Sequence, residues 1–167
     1  MVDGTRYPYT HTITLTSPED GFDAVHSLFE KIWTDASHVE TIDRLGFETA
    51  LIELVSNVFQ HGDSEMTPLC TITVTTYSDR IECSLLDAGS PREIQLTGRT
   101  MPDEFAESGR GIILIQALVN ELSYTREGER NRWHMVKKTA PLELPLEPVL
   151  QVLRPRPINE SARQQAL

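Results

Sequence analysis

The segment from Cys70 to Asp87 places the tightest limit on how this chain folds. It contains two runs, CTITVTTY and RIECSLLD, in which apolar and polar residues alternate, with Ser78 and Asp79 between them. This alternation is the period of a β-strand with one buried face, and a short polar break between two such runs predicts a hairpin. A sheet with a single apolar face must bury that face against another layer, which is either helices or a second sheet.

The flanking segments supply further strands and the covering helices. YPYTHTITLT, starting at Tyr7, predicts a first strand at a sheet edge, and LSYTRE and RWHMVKK predict a final hairpin around Gly128. One helix is expected to start at the N-cap Ser17, a longer one to end before Gly62, and a third to follow Gly111. We therefore expect an α/β (α+β) fold, a two-layer sandwich of a mixed, mostly antiparallel sheet with about three helices on one face.

The longer helix carries the first polar motif. Its apolar positions are Ile42, Leu45, Ala50, Leu51, Leu54, Val55 and Val58. Glu53 and Asn57 are four residues apart, so both project from one side of the helix. An amide oxygen is a hard ligand that suits Mg²⁺, and a nearby carboxylate can accept a proton from an attacking hydroxyl or water. A solvated helix face can carry the same pair, so the pair alone does not distinguish a functional site from ordinary surface.

A second motif stands where the strand RIECSLLD ends. Asp87 can accept a hydrogen bond from an exocyclic amino group, and Gly89 lets a ring approach the backbone closely. An aspartate and a glycine after a strand also form an ordinary turn, which is the alternative interpretation.

A third motif, Ser108-Gly109-Arg110-Gly111, directly precedes the apolar helix GIILIQALVNEL. Glycines at a helix N-terminus expose backbone amides to phosphate oxygens, and the helix dipole adds to the attraction. Arg110 would add a charge-assisted contact. The long loop between Asp87 and Ser108 has the composition of a lid.

The order of these motifs resembles that of the GHKL, or Bergerat-fold, ATPases over residues 7–138. The matching positions are Glu53 and Asn57 for the N box, Asp87 and Gly89 for the adenine box, and Gly109 to Gly111 for the second glycine box. The resemblance implies ATP and Mg²⁺ as cofactors. It further implies that Asn57 holds the metal, Glu53 is the general base, Asp87 reads adenine, and Ser108, Gly109, Arg110 and Gly111 bind phosphates.

Two departures from the superfamily pattern concern the adenine end. Ser90-Pro91 follows Gly89 where another glycine is common. The final hairpin has Arg130-Asn131 where Gly-Thr is usual, and Asn131 is the residue expected to substitute as a polar contact.

Within the superfamily, the short free-standing form with GFETALIELVSNVFQHG at the N box resembles the anti-sigma-factor serine kinases. In these proteins an ATP-bound dimer sequesters a sigma factor and phosphorylates a serine on an antagonist of the STAS type. The resemblance implies those two partners and a homodimer, formed through the first strand and helix. Two alternatives stay open: a nucleotide-dependent binding module without kinase activity, and the detached catalytic domain of a histidine kinase.

The domain organisation expected from the sequence is a single ATP-binding domain, residues 1–138, and a proline-rich tail, residues 139–167. The tail is predicted to be extended, and its Leu-x-Leu-Pro-Leu piece is a candidate for docking on the domain or on a partner.

A formal net charge of -10 argues against a nucleic-acid surface. No apolar run approaches the ~20 residues that span a bilayer, so we expect no membrane association and a cytoplasmic location. Cys70 and Cys83 are expected as small core residues.

Overall fold

The structure is a computed structural model and describes residues 7–61, 68–92, 94, 96 and 110–140. Its elements, in chain order, are β1 (Tyr9–Leu15), α1 (Pro18–Asp35), α2 (Thr41–His61), β2 (Cys70–Thr76), β3 (Arg80–Asp87), α3 (Arg110–Leu118), β4 (Glu121–Glu127) and β5 (Arg130–Lys138). None of these helices is long and apolar enough to cross a lipid bilayer. The predictions for Gly62, Ser108, Gly109 and the tail from residue 141 lie outside the described residues.

The strands form one sheet in the order β1-β2-β3-β5-β4, with β1 and β4 at its edges. The predicted α/β sandwich and the edge position of the first strand are confirmed. A mixed sheet was expected, but every pairing among the described strands is antiparallel. The short turns of the hairpins β2–β3 and β4–β5 impose this direction. Gly128 at the β4–β5 turn has φ of 58°, a left-handed conformation that favours glycine.

One face of the sheet is apolar, and all three helices share its core. The strand residues in that core are Leu15, Cys70, Ile72, Val74, Ile81, Cys83, Leu85, Trp133 and Met135. The other face is polar and rich in threonine. On it the hydroxyls of Thr12 and Thr73 lie 3.1 Å apart across the β1–β2 pairing. The sheet is therefore covered by helices on one side, as its alternating sequence predicts.

Helix α2 contributes more buried residues than α1 or α3. They are Gly46, Phe47, Ala50, Leu51, Leu54, Val55 and Val58. The apolar pattern also predicted Ile42 and Leu45 on this face, and that was wrong, because they are 71% and 54% exposed. The buried stripe recurs every three or four residues from Val58 back to Phe47. Continued one turn further it reaches Asp43, and at 3.6 residues per turn Ile42 and Leu45 both fall on the side of the helix opposite this stripe.

Helix α1 starts as predicted, with the backbone N–H of Glu19 donating to Ser17 Oγ at 3.2 Å. It ends at Asp35, and a turn then leads into α2. Arg44 Nε holds this turn by donating to the Val39 carbonyl at 2.7 Å. The connection between the two helices is thus a short turn closed by a side chain of α2.

Both cysteines are free and buried, as predicted. Burial raises the pKa of the Cys70 thiol and of the Cys83 thiol to about 12. The two side chains therefore act as small apolar residues of the sheet.

Candidate functional site

Helices α2 and α3 bring the first and third sequence motifs together. Glu53 and Asn57 are half-buried on α2, and the start of α3 approaches them at Gly111. A Cβ atom added to Gly111 would lie 3.1 Å from Glu53 Oε2 and 3.5 Å from Asn57 Nδ2. The first of these distances is tighter than a Cβ normally tolerates. A side chain here would therefore press on the Glu53 carboxylate, and glycine lets the backbone of α3 come this close without displacing it.

The Asn57 amide has a buried nitrogen without a partner. No described residue accepts a hydrogen bond from Asn57 Nδ2. A buried donor left unsatisfied costs roughly 1–3 kcal/mol, so such groups usually have a ligand or water as partner. The amide thus offers a free donor beside a carboxylate and the N-terminus of α3. This donor set fits an oxygen-rich ligand such as a metal-bound phosphate.

Asp87 ends β3 and is fully buried. Three donors satisfy its carboxylate: the Gly89 N–H and Asn131 Nδ2 both donate to Oδ1 at 2.8 Å, and Trp133 Nε1 donates to Oδ2 at 3.1 Å. A carboxylate oxygen has two acceptor positions, so Oδ2 retains one for a further donor.

Asn131 lies directly opposite Asp87 in the β3–β5 register and is also fully buried. Besides Asp87, its Nδ2 donates to the carbonyls of Gly89 at 3.2 Å and Ser90 at 3.1 Å. Its Oδ1 accepts from Tyr124 Oη at 2.6 Å and Arg126 Nη1 at 2.8 Å. Asn131 therefore fastens the loop after β3 to the neighbouring hairpin, and the expected polar contact is in place.

Arg92 joins the two clusters, and the sequence reading missed it. Its Nη2 donates to the Asn57 carbonyl at 3.5 Å, and its guanidinium carbon lies 5.9 Å from the Trp133 ring centroid. Its backbone N–H donates to Tyr124 Oη at 3.0 Å. Nothing in the local sequence distinguishes this arginine from a solvated loop residue, because its contacts come from α2, β4 and β5.

The remaining predicted positions divide between described and undescribed residues. Arg110 is the first residue of α3 and is exposed. Ser108 and Gly109 lie outside the described part of the chain.

The C-terminus of α2 reaches the loop after β3, because a Cβ added to Gly89 would lie 3.3 Å from the His61 carbonyl oxygen. The two clusters thus line the same end of the molecule, where α2 ends and α3 begins.

The sequence and the fold were compared with known proteins. A family model described as a histidine kinase-like ATPase domain matches residues 22–137. No curated protein matches the sequence. Among solved structures, the RsbU and RsbW domains of Rv1364c from Mycobacterium tuberculosis match 80% of this chain and 33% of that chain, with 14% identity and a TM-score of 0.54. This chain therefore spans about a third of the length of that structure, and the likeness is one of fold.

A second structural match is the nucleotide-free catalytic domain of the histidine kinase ThkA. It covers 80% of this chain and 99% of that chain, with 13% identity and a TM-score of 0.46.

Removal of the Asn131 amide tests the role of the buried network. We expect Asn131→Ala to lower the free energy of unfolding by roughly 1–3 kcal/mol, because it removes one of the three donors to the buried Asp87 carboxylate and the amide donor to the Gly89 and Ser90 carbonyls. Urea unfolding followed by tryptophan fluorescence measures the change. The matched variant Tyr124→Phe removes one hydroxyl from the same network and should cost less. Equal stability of wild type and Asn131→Ala would contradict a structural role for the amide.

Proposed function

Because the chain belongs to the family of histidine kinase-like ATPase domains, we propose that it is an ATP-dependent protein serine kinase of the anti-sigma-factor type. Family membership confirms the resemblance to the GHKL superfamily and implies ATP binding. One observation carries the proposal for the site: Glu53 and Asn57 of α2 meet Gly111 at the start of α3. A carboxylate, an amide and a glycine-opened helix N-terminus are the groups that a metal-bound triphosphate and its transfer reaction require.

In this proposal Asn57 and Gly111 hold the phosphate end of the nucleotide. The Asn57 Oδ1 atom would hold Mg²⁺, and Nδ2, which has no hydrogen-bond partner among the described residues, could donate to a phosphate oxygen. The absence of a side chain at Gly111 leaves room beside both groups, and the N-terminus of α3 favours negative charge. When bound, Mg²⁺ neutralises charge on the phosphates.

Glu53 is the proposed general base. Its Oε2 would accept the proton of the acceptor serine hydroxyl while that oxygen bonds to the γ-phosphorus and the bond to the ADP oxygen breaks. The carboxylate has the right neighbours for this role, because it borders the same glycine as Asn57. The proton therefore moves to the enzyme, and the phosphoryl group moves to the serine.

Asp87 and Asn131 form the proposed adenine end. The acceptor position remaining on Asp87 Oδ2 suits an exocyclic amino group, and Asn131 holds the surrounding loop in place. Arg92 contacts both Asn57 and the Trp133 ring, so its guanidinium lies where it could contact a phosphate chain that connects the two ends.

The proposed partners are a sigma factor and a STAS-type antagonist, with a homodimer as the active form. They follow from the resemblance of the N-box sequence to that of the anti-sigma-factor serine kinases. The fold shared with a structure containing an RsbW domain supports the same assignment. A cytoplasmic location without direct nucleic-acid binding completes the proposal.

A kinase-inactive binding module is the second candidate function, and one observation favours it. The Asp87 carboxylate already accepts three hydrogen bonds from the protein, from Gly89, Asn131 and Trp133, which leaves a single position for adenine. A site of this kind can bind nucleotide loosely and regulate a partner by sequestration alone.

The first prediction for this site concerns the metal. We expect Asn57→Ala to weaken ATP binding in Mg²⁺ by roughly tenfold or more, which corresponds to about 1.4 kcal/mol or more. Binding in EDTA should change much less, because the metal ligand is then irrelevant. Calorimetric titration with ATP and ADP, with and without Mg²⁺, measures both effects. Gln60→Ala, an exposed change on the same helix, is the control. An equal loss with and without Mg²⁺ would remove Asn57 as the metal ligand.

The second prediction concerns the space at Gly111. We expect Gly111→Ala to weaken ATP binding at least roughly tenfold, because its methyl group would enter the gap beside Glu53 and Asn57. Gly46→Ala is the matched control, since that methyl group would meet the flexible end of Lys137 at 3.4 Å and the Leu118 carbonyl oxygen at 3.7 Å, which are ordinary van der Waals contacts. Circular dichroism checks that both variants fold. If the two variants bind ATP equally well, the phosphate end lies elsewhere.

The third prediction concerns phosphotransfer. With labelled ATP and a STAS-domain protein of the same organism, we expect Glu53→Gln to reduce phosphoserine formation roughly 100-fold or more. Its ATP affinity should stay near that of wild type, and Glu30→Gln on an exposed part of α1 should behave as wild type.

The other outcomes of that assay separate the alternatives. Undiminished transfer by Glu53→Gln would remove this residue as the base. ATP binding by wild type without any phosphoserine would select the binding module. Acid-labile phosphate on histidine would identify a histidine kinase domain.

A further inference from the structure

A groove of about 240 Å³ lies between the start of α2 and the end of α3, at the opposite end of α2 from Asn57. Its lining includes Ile42, Leu45 and Gly46 of α2, Ala117 and Leu118 of α3, and Lys137 of β5. The groove is thus apolar along both helices, with one cation beside it.

The two large apolar side chains that α2 contributes to this groove are unusually exposed for this protein. Ile42 and Leu45 are the most exposed large apolar residues in the described part of the chain, and they are three positions apart on one helix. Phe22, which is also exposed, differs because its ring packs edge-on against Phe59 at 5.1 Å. Single exposed apolar residues are common, but two neighbours bordering an apolar groove indicate a surface that something covers.

The chain leaves β5 beside this groove. The strand ends at Lys138, and the Thr139 N–H donates to the Asp79 carbonyl at 2.9 Å. The Lys137 side chain lies on the helical side of the sheet, where its Nζ atom is 3.3 Å from Asp43 Oδ1. At about 3.3 Å per residue, Ala140 lies within roughly 10 Å of Lys137 along the chain. The segment that follows therefore starts next to the groove.

The sequence of that segment suits an apolar groove. Residues 141–148 read PLELPLEP, in which Leu142, Leu144 and Leu146 alternate with glutamates and a proline. Prolines restrict the free chain, so less conformational entropy is lost when it docks. At about 3.1 Å per residue, Leu142 and Leu144 lie roughly 15–22 Å of extended chain beyond Lys137. This reach is sufficient for a groove that Lys137 itself lines.

We propose that the Leu142–Leu146 segment of this chain docks in the groove between α2 and α3. A second copy of the chain is a poorer occupant. A stable dimer interface buries about 800 Å² on each partner, far more than two exposed side chains and a groove of this size offer. A tethered segment has an effective local concentration on the order of millimolar, so even weak contacts keep it bound.

Disulfide trapping in the full chain tests the proposal. We expect Leu45→Cys combined with Leu144→Cys to form an intramolecular disulfide roughly tenfold faster than Thr12→Cys combined with Leu144→Cys. Thr12 is exposed on the polar face of the sheet. The native thiols do not compete, because both are buried and their pKa is raised to about 12. Equal rates for the two pairs, or disulfide-linked dimers as the main product, would overturn the proposal.

A second measurement needs no cysteine. Leu45→Gln in the full chain keeps a good helix former at an exposed position, so the fold should be retained. We expect amide hydrogen exchange across residues 142–146 to be at least roughly tenfold faster in this variant than in wild type. Thr12→Gln is the control and should leave it unchanged. If the segment exchanges at the same rate in all three proteins, it does not occupy the groove.

Discussion

Burial of α2 against the sheet is the constraint on which the rest of the arrangement depends. Its apolar stripe from Phe47 to Val58 is fully enclosed, so the helix has one allowed rotation. That rotation leaves Glu53 and Asn57 half-buried on its flank, where α3 begins. It also carries the helix C-terminus to the loop after β3. Apolar packing thus sets where the two polar clusters lie, and hydrogen bonds from Asn131 and Trp133 then hold the Asp87 side chain.

The features that repeat along the chain could be predicted from the sequence. Alternation identified the strands, and the four-residue spacing of Glu53 and Asn57 placed them on one side of a helix. Their meeting with Gly111 was expected only from motif order, since no local rule brings α2 to α3. Arg92 and Tyr124 were missed because their roles depend on strand register and on contacts between distant elements. The exposure of Ile42 and Leu45 on α2 was missed for a related reason, because apolar character alone does not show which side of a helix packs on the sheet.

An acidic chain can still present a local environment that suits an anion. The formal charge of -10 is spread over the whole sequence, and charges farther apart than about 8 Å are largely screened at physiological ionic strength. What matters at short range is the set of donors around Asn57: its own unpartnered nitrogen, the start of α3 and the Arg92 guanidinium. Oriented donors and a helix terminus act within a few ångströms. The region around Asn57 therefore suits an anion, although the net charge of the chain is negative.

The enclosed thiols of the sheet have a consequence for how such a protein is regulated. With a pKa of about 12, Cys70 and Cys83 are almost wholly protonated near neutral pH. The thiolate fraction at pH 7 is on the order of one in 10⁵. Peroxides and electrophiles attack thiolates, and neither sulfur is accessible. During oxidative stress these two thiols would therefore stay reduced while accessible cysteines of other proteins are modified.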